Sequence, residues 1–150
     1  MKIDTRHFGS IDIDENGIIR FPEGIPGFEN LHRFVLLADM EPGSPFKWLQ
    51  CIDAGDLAFV AIDPKMIVPD YLVDVDDSEV AILKIKDPDK VVVLAIVVIP
   101  DEISKITANL KAPVLINTEN NLGKQVTVEN SEYKIRHHIL DELRRMGGNK

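Results

Sequence analysis

The first half of the chain reads as short strands rich in aliphatic and aromatic residues with turns every eight to twelve residues, and at 10–14 and 71–76 apolar and polar positions alternate with period two. SIDID (10–14) sets Ile11 and Ile13 on one face and Asp12 and Asp14 on the other. DENG (14–17) follows, and Asn-Gly favours the positive φ of tight hairpins. IIRF (18–21) is therefore predicted to return as the partner strand of a hairpin. RFVLLAD (33–39), FKWLQCID (46–53) and LAFVAID (57–63) read as further strands, joined by MEPGSP (40–45) and AGD (54–56). DPKMIVPD (63–70) breaks the rhythm, because its two prolines cannot serve a central strand. YLVDVD (71–76) resumes it, with Tyr71, Val73 and Val75 on one face.

The period then changes. DDSEVAILKI (76–85) predicts a helix of about two turns, capped by Asp77 or Ser78, with Glu79 in its first turn and Val80 and Leu83 on one face. DPDK (87–90) stops it. VVVLAIVVI (91–99), mostly β-branched, predicts a strand buried on both faces at the centre of the fold. PDEISKITANLK (100–111) is ambiguous: Ile103, Ile106 and Leu110 suit a helical face, whereas Thr107 and Asn109 weaken it. APVLIN (112–117) and KQVTVEN (124–130) predict two strands joined by TENNLG, with Gly123 ending the loop. YKIRHHILDELRRM (133–146) predicts a helix carrying Ile139, Leu140, Leu143 and Met146, with Asp141 placed to pair with Arg145. Gly147 stops it, leaving the last residues frayed. The sum is a mainly β, single-domain antiparallel barrel or sandwich with one or two short helices and a C-terminal helix.

Composition narrows the chemistry. At 150 residues and 45% hydrophobic content the chain can bury a core without disulfides or metals. Cys51 is the sole cysteine, which excludes an internal disulfide, and its apolar setting predicts a buried, inert thiol. The charged N-terminal stretch does not suit a signal peptide, and the longest apolar run falls well short of the roughly 20 residues a membrane helix needs. A cytoplasmic protein is expected. The net charge of −8 is uneven: residues 1–100 carry −9 and residues 101–150 carry +1. An acidic body repels nucleic acid and suits a basic partner, although acidity also serves simple solubility.

No phosphate-binding glycine loop, GxSxG or HExxH is present. His137 and His138 on a helix would diverge by about 100°, too far to share a metal. DVDDSE (74–79) superficially suggests a calcium loop, but Glu79 stands where the EF-hand needs glycine and Ile85 where it needs glutamate. Without a catalytic signature, an interaction protein is the better expectation than an enzyme. The acidic run Asp74, Asp76, Asp77 and Glu79 is the candidate for electrostatic contact with a cationic partner. Tyr71, Leu72, Asn109, Leu110 and Pro113 are the candidates for the accompanying apolar contact.

FPEGIPGF (21–28) fits neither helix nor strand. Pro22 and Pro26 fix φ, Gly24 and Gly27 permit positive φ, and Phe21 and Phe28 are expected to anchor the ends in the core with Ile25 covering the loop between. The stretch FPEGIPGFENLHRFVLL (21–37), with SPFKWLQC (44–51), LAFVAIDP (57–64), ITANLKAPVLIN (106–117), GKQV (123–126) and YKIRHHI (133–139), resembles the FliW family of flagellar assembly factors in the same order along the chain. A departure is His138, where the family often has proline, which would let the terminal helix run further. The resemblance implies a monomeric pseudo-barrel that is not an enzyme and needs no cofactor. It also implies two protein partners in the cytoplasm, flagellin and the basic RNA-binding repressor CsrA. Free of flagellin, such a factor binds CsrA away from its RNA groove and relieves repression of flagellin translation allosterically. The competing expectations are a flagellin-specific secretion chaperone with no translational role, and a small β-barrel enzyme or metabolite-binding module.

Overall fold

The computed structural model describes residues 1–148. Of residues 147–150, expected to fray beyond a helix stop at Gly147, Asn149 and Lys150 lie outside the described residues, as does the side chain of Met146, while the C-terminal helix continues through Gly147 to Gly148. In chain order the strands are β1 (Lys2–Thr5), β2 (Gly9–Asp12), β3 (Ile18–Arg20), β4 (Arg33–Ala38), β5 (Phe46–Cys51), β6 (Ala58–Ile62), β7 (Val91–Val98), β8 (Thr107–Ala108), β9 (Val114–Asn117), β10 (Leu122–Gln125) and β11 (His137–His138). The α-helices are α1 (Asp77–Val80) and α2 (Leu140–Gly148). Strands β3-β4-β5-β6-β7 run antiparallel to their neighbours, β7 also pairs with β9, β9 with β10, and β10 returns to β3 in parallel. Seven strands thus close a barrel, and β8 and β11 extend from β7 as a short flap.

Alternation decides where each side chain goes. Ile19, Phe34, Leu49, Cys51, Ala61, Leu94, Val114 and Ile116 point inward and fill the barrel, joined by Phe21 and Ile25. The opposite faces of the same strands are apolar in three patches, and each has its own cover. The β1–β2 hairpin brings Ile3 and Ile13 onto Val35 and Ile52. Tyr71, Ile106, Leu110 and Ile139 lie over Ile62, Ala95 and Val97. The segment from Val73 to Ile85 lies over Leu115 and Val126. A barrel of short strands gains much of its burial from the outside, through these three covers.

Several elements differ from the sequence expectation. Ile18–Arg20 does not return on 10–14: β2 pairs with β1 instead, β3 pairs with β4, and Glu15–Gly17 is a 3-10 turn whose Asp14 carboxylate accepts from Asn16 N. Tyr71–Asp76 alternates in burial but joins no ladder. Asp76, not Asp77 or Ser78, occupies the cap position of α1, which passes into a 3-10 turn (Ala81–Leu83) and ends at Lys84 with φ 53°. Residues 100–111 are not helical beyond a 3-10 turn at Ile103–Lys105; Ile106 and Leu110 are buried while Ile103 is exposed. Strand β7 is the most connected strand, yet it is buried on both faces only in its middle, since Val98 is 58% exposed. Gly123 lies inside β10 rather than at the loop's end, because the loop closes at Asn121 with φ 56°. Residues 133–139 turn and pair rather than coil, so the absence of proline at His138 lengthens no helix: α2 begins at Leu140. Asp141 and Arg145 both remain exposed, and no ion pair joins them among the described residues. No helix among the described residues is long and apolar enough to cross a membrane. Cys51 is fully buried, and burial pushes its thiol up, as an inert side chain should be.

Candidate functional site

The acidic segment is held by its backbone and by two tyrosines, leaving the side chains of Asp74, Asp76 and Asp77 exposed. Tyr71 is buried, and its hydroxyl donates to Leu110 O at 2.6 Å. Burial, with a smaller contribution from Tyr133, drives its phenol far above the ordinary range. Its ring stacks on Tyr133 with centroids 4.5 Å apart, and the Tyr133 hydroxyl accepts from Leu72 N at 3.1 Å. Further along, Asp74 O accepts from Glu129 N at 2.8 Å. Val73 and Val75 turn inward, so Leu72, Asp74 and Asp76 must turn outward. Leu72 is 72% exposed, an apolar side chain flanked by carboxylates. At the far end Asn117, buried, donates to Leu83 O at 2.9 Å and fixes the turn that follows α1.

The predicted site therefore separates into three groups. Leu72, Asp74 and Asp76 turn outward together and Asp77 beside them is also exposed; Asp76 makes no side-chain cap bond, so its carboxylate remains available. Glu79 is partly buried and lies 3.6 Å from Lys124 Nζ, which also donates to Glu79 O at 2.8 Å and lies 3.7 Å from Glu23. That lysine, 15% exposed, withdraws Glu79 from the free acidic face. Tyr71, Leu110 and Pro113 are buried and cannot offer apolar contact to a partner. Asn109 is partly buried and structural: its side chain accepts from Ala112 N at 2.9 Å and its backbone N–H donates to Ile96 O. Glu129 was missed. It is exposed and bonded through its backbone to Asp74, so it extends the acidic face from a second segment. Its signal was the alternation of buried Val126 and Val128 with exposed Thr127 and Glu129, which continues past the end of β10.

The FPEGIPGF loop caps the barrel. Phe21 and Ile25 are fully buried, and Phe21 meets Phe34 edge-on at 5.1 Å. Phe28 is not the second core anchor: it is 39% exposed and rests edge-on against Phe59 at 5.6 Å, while Ile25 takes the interior place. Gly24 has φ 69°, and an added Cβ would stand 2.6 Å from the Glu29 backbone, so glycine is required there. Pro22, Pro26 and Gly27 form the exposed outer surface. Gly123 of GKQV is needed for the same cap, since a methyl there would stand 2.6 Å from the Phe21 ring. Lys124, the next residue, ties Glu23 of the loop to Glu79 of α1.

This pairing of motifs along the chain coincides with known proteins. The model of the family described as FliW protein matches residues 2–139. The chain belongs to the FliW family. Flagellar assembly factor FliW of Thermoanaerobacter pseudethanolicus is 50% identical over 144 residues, 96% of each chain. The FliW of Caldanaerobacter subterraneus subsp. tengcongensis is 48% identical over 144 residues, again 96% of each. A crystal structure of the flagellar assembly factor FliW superimposes with a TM-score of 0.84 at 40% identity, covering 93% of this chain and 96% of that one. The FliW barrel and its covers are thus shared. Among the described residues, no group of three or more His, Cys, Asp or Glu is placed to hold a metal.

Proposed function

We propose that this chain is a cytoplasmic flagellar assembly factor that works by binding proteins, exchanging between flagellin and the translational repressor CsrA. Its FliW relatives bear the name flagellar assembly factor. Free of flagellin, it binds CsrA and antagonises it allosterically, so that translation of flagellin mRNA proceeds; occupied by flagellin, it leaves CsrA to repress. The free protein is a monomer, takes no cofactor and does not contact the message directly. The observation that carries the electrostatic part of this reading is the exposed run Asp74, Asp76 and Asp77 beside Leu72, extended by Glu129. Such a face complements a basic RNA-binding protein, and complementarity of this kind raises association rate and specificity. It equally repels RNA.

The barrel interior speaks against a metabolite-binding module, because buried apolar side chains pack it, whereas such a module needs convergent polar groups in a concave site. A secretion chaperone without translational role differs from the proposal only in CsrA binding. Calorimetry with purified flagellin and purified CsrA across a salt series separates them. Both partners should bind at micromolar concentration, and CsrA affinity should fall with salt, since exposed charges are screened over about 8 Å at physiological ionic strength. Binding of flagellin alone would leave only the chaperone, and binding of neither would end the proposal.

A further inference from the structure

A small cationic cavity lies beside the start of the FPEGIPGF loop. It has a volume of about 350 Å³ and is lined by Arg20, Phe21, Pro22, His32, Arg33 and Leu122. Strand register makes this arrangement unusual. Arg20 of β3 stands directly opposite Arg33 of β4, and Leu122 of β10 stands opposite Arg20 on the other side. Cross-strand partners share a face, so two arginines and a leucine form one row across three strands. Like charges directly opposite one another are destabilising in a sheet, and the rest of the chain carries a strong excess of acid with which either arginine could have paired.

The structure compensates only one of them. Arg33 makes a two-pronged pair with Asp53, Nε to Oδ2 at 3.1 Å and Nη2 to Oδ1, which fixes its guanidinium and leaves Nη1 without a hydrogen bond among the described residues. Arg20 is exposed, and its guanidinium has no hydrogen bond or ion pair among the described residues. The ring of His32 is also fixed, because Nδ1 lies 2.8 Å from Phe21 O, a carbonyl that can only accept. The cavity therefore holds two positioned side chains, one uncompensated positive charge, and apolar walls from Pro22 and Leu122.

We propose that this cavity is a binding site for a carboxylate carried on an apolar group, with Arg20 as the principal contact and Arg33 as the second. One net positive charge matches a monoanion better than a phosphate dianion, and the planar guanidinium fork matches a carboxylate in two-point contact. The apolar walls take the group that bears it. Two sources share this chemistry: a small organic acid, and the terminal carboxylate of a polypeptide ending in an apolar residue.

The test is an NMR titration of the full chain with N-acetyl-leucine, its amide, inorganic phosphate, and a leucine-terminated peptide in free-acid and amidated forms. The free acids should shift the backbone amides of residues 20, 32, 33 and 122 at millimolar concentration, and the amides should not. Arg20→Met should weaken this binding about tenfold or more, while leaving thermal stability unchanged or slightly raised, because the like-charge opposition is relieved. Tighter binding of the peptide acid than of N-acetyl-leucine would assign the site to a chain terminus; equal binding would assign it to a small acid. Equal shifts from acid and amide, a preference for phosphate, or full binding by a folded Arg20→Met protein would overturn the proposal. So would the absence of any shift at those amides.

Discussion

The loop at 21–28 and the segment at 71–79 are built on opposite plans. The loop spends its distinctive residues on shape. Phe21 and Ile25 are buried, Gly24 is demanded by a close backbone, and Gly123 of another strand is kept small to admit the Phe21 ring. The acidic segment spends its buried residues on anchorage, through Tyr71, Val73 and Val75, and turns the remainder outward. A motif dense in proline, glycine and phenylalanine thus marks architecture, whereas the exposed surface we propose for a partner lies in a stretch marked by its acidity. Lys124 touches both regions, so they are mechanically joined at one side chain.

Substitutions can break this contrast, and their expected effects run from the loop's core outward. Phe21→Ala should destabilise the fold most, by about 3–5 kcal/mol, because a large aromatic leaves a closed barrel end. Phe28→Ala, at the exposed end of the same loop, should cost far less, about 1 kcal/mol; denaturant unfolding of the pair measures the difference. Equal losses would mean that Phe28 is the core anchor after all. Gly123→Ala should follow at about 1–3 kcal/mol, since a rigid ring blocks the added methyl, and Phe21→Leu in the same chain should recover part of the loss.

Tyr71→Phe should be next. It leaves Leu110 O without its buried donor at a cost of about 1–2 kcal/mol, and it should loosen the acidic segment, visible as faster hydrogen exchange at Leu72 and Glu129. Unchanged exchange at those amides would show that the segment is held elsewhere. The smallest effect concerns Asp53. Arg33 lowers its pKa by hydrogen bonding and charge, so its contribution is fully present above the ordinary aspartate range and is lost as pH falls through the lowered folded value. With both side chains more than a third exposed, solvent screening limits the contribution to about 1 kcal/mol or less. Asp53→Asn should flatten the acid limb of a stability-versus-pH curve by that amount and leave neutral stability only slightly reduced.

The contrast also explains what was legible in the chain. Strands β4 to β7 are readable because short runs of aliphatic and aromatic residues are bounded there by turn residues, and the β-branched run of β7 marks it as buried. Alternation tells which face a residue takes but not which strand it pairs with: Ile11 and Ile13 were placed on the right face, yet Lys2–Thr5, not Ile18–Arg20, is the partner of β2. Tyr71–Asp76 shows the same limit, since its alternation is real in burial while its hydrogen bonds go to side chains and single backbone groups instead of a ladder. Residues 133–139 carry apolar positions at helical spacing, but pairing of His137–His138 with β8 outweighs that weak preference. At the site, acidity and exposure of Asp74, Asp76 and Asp77 could be read from composition. The burial of Tyr71, Leu110 and Pro113 could not, because an apolar residue beside a polar run serves equally well as contact or as anchor until its partner is known.

We propose that the acidic segment, and not the loop, carries the charge that a basic partner reads. Calorimetry of CsrA with the Asp76→Lys/Asp77→Lys double variant tests it most directly, with thermal unfolding alongside to show that these exposed changes leave stability within about 0.5 kcal/mol. CsrA affinity should drop about tenfold or more and lose its salt dependence, whereas flagellin binding should change less. Undiminished CsrA binding by the folded variant would contradict it.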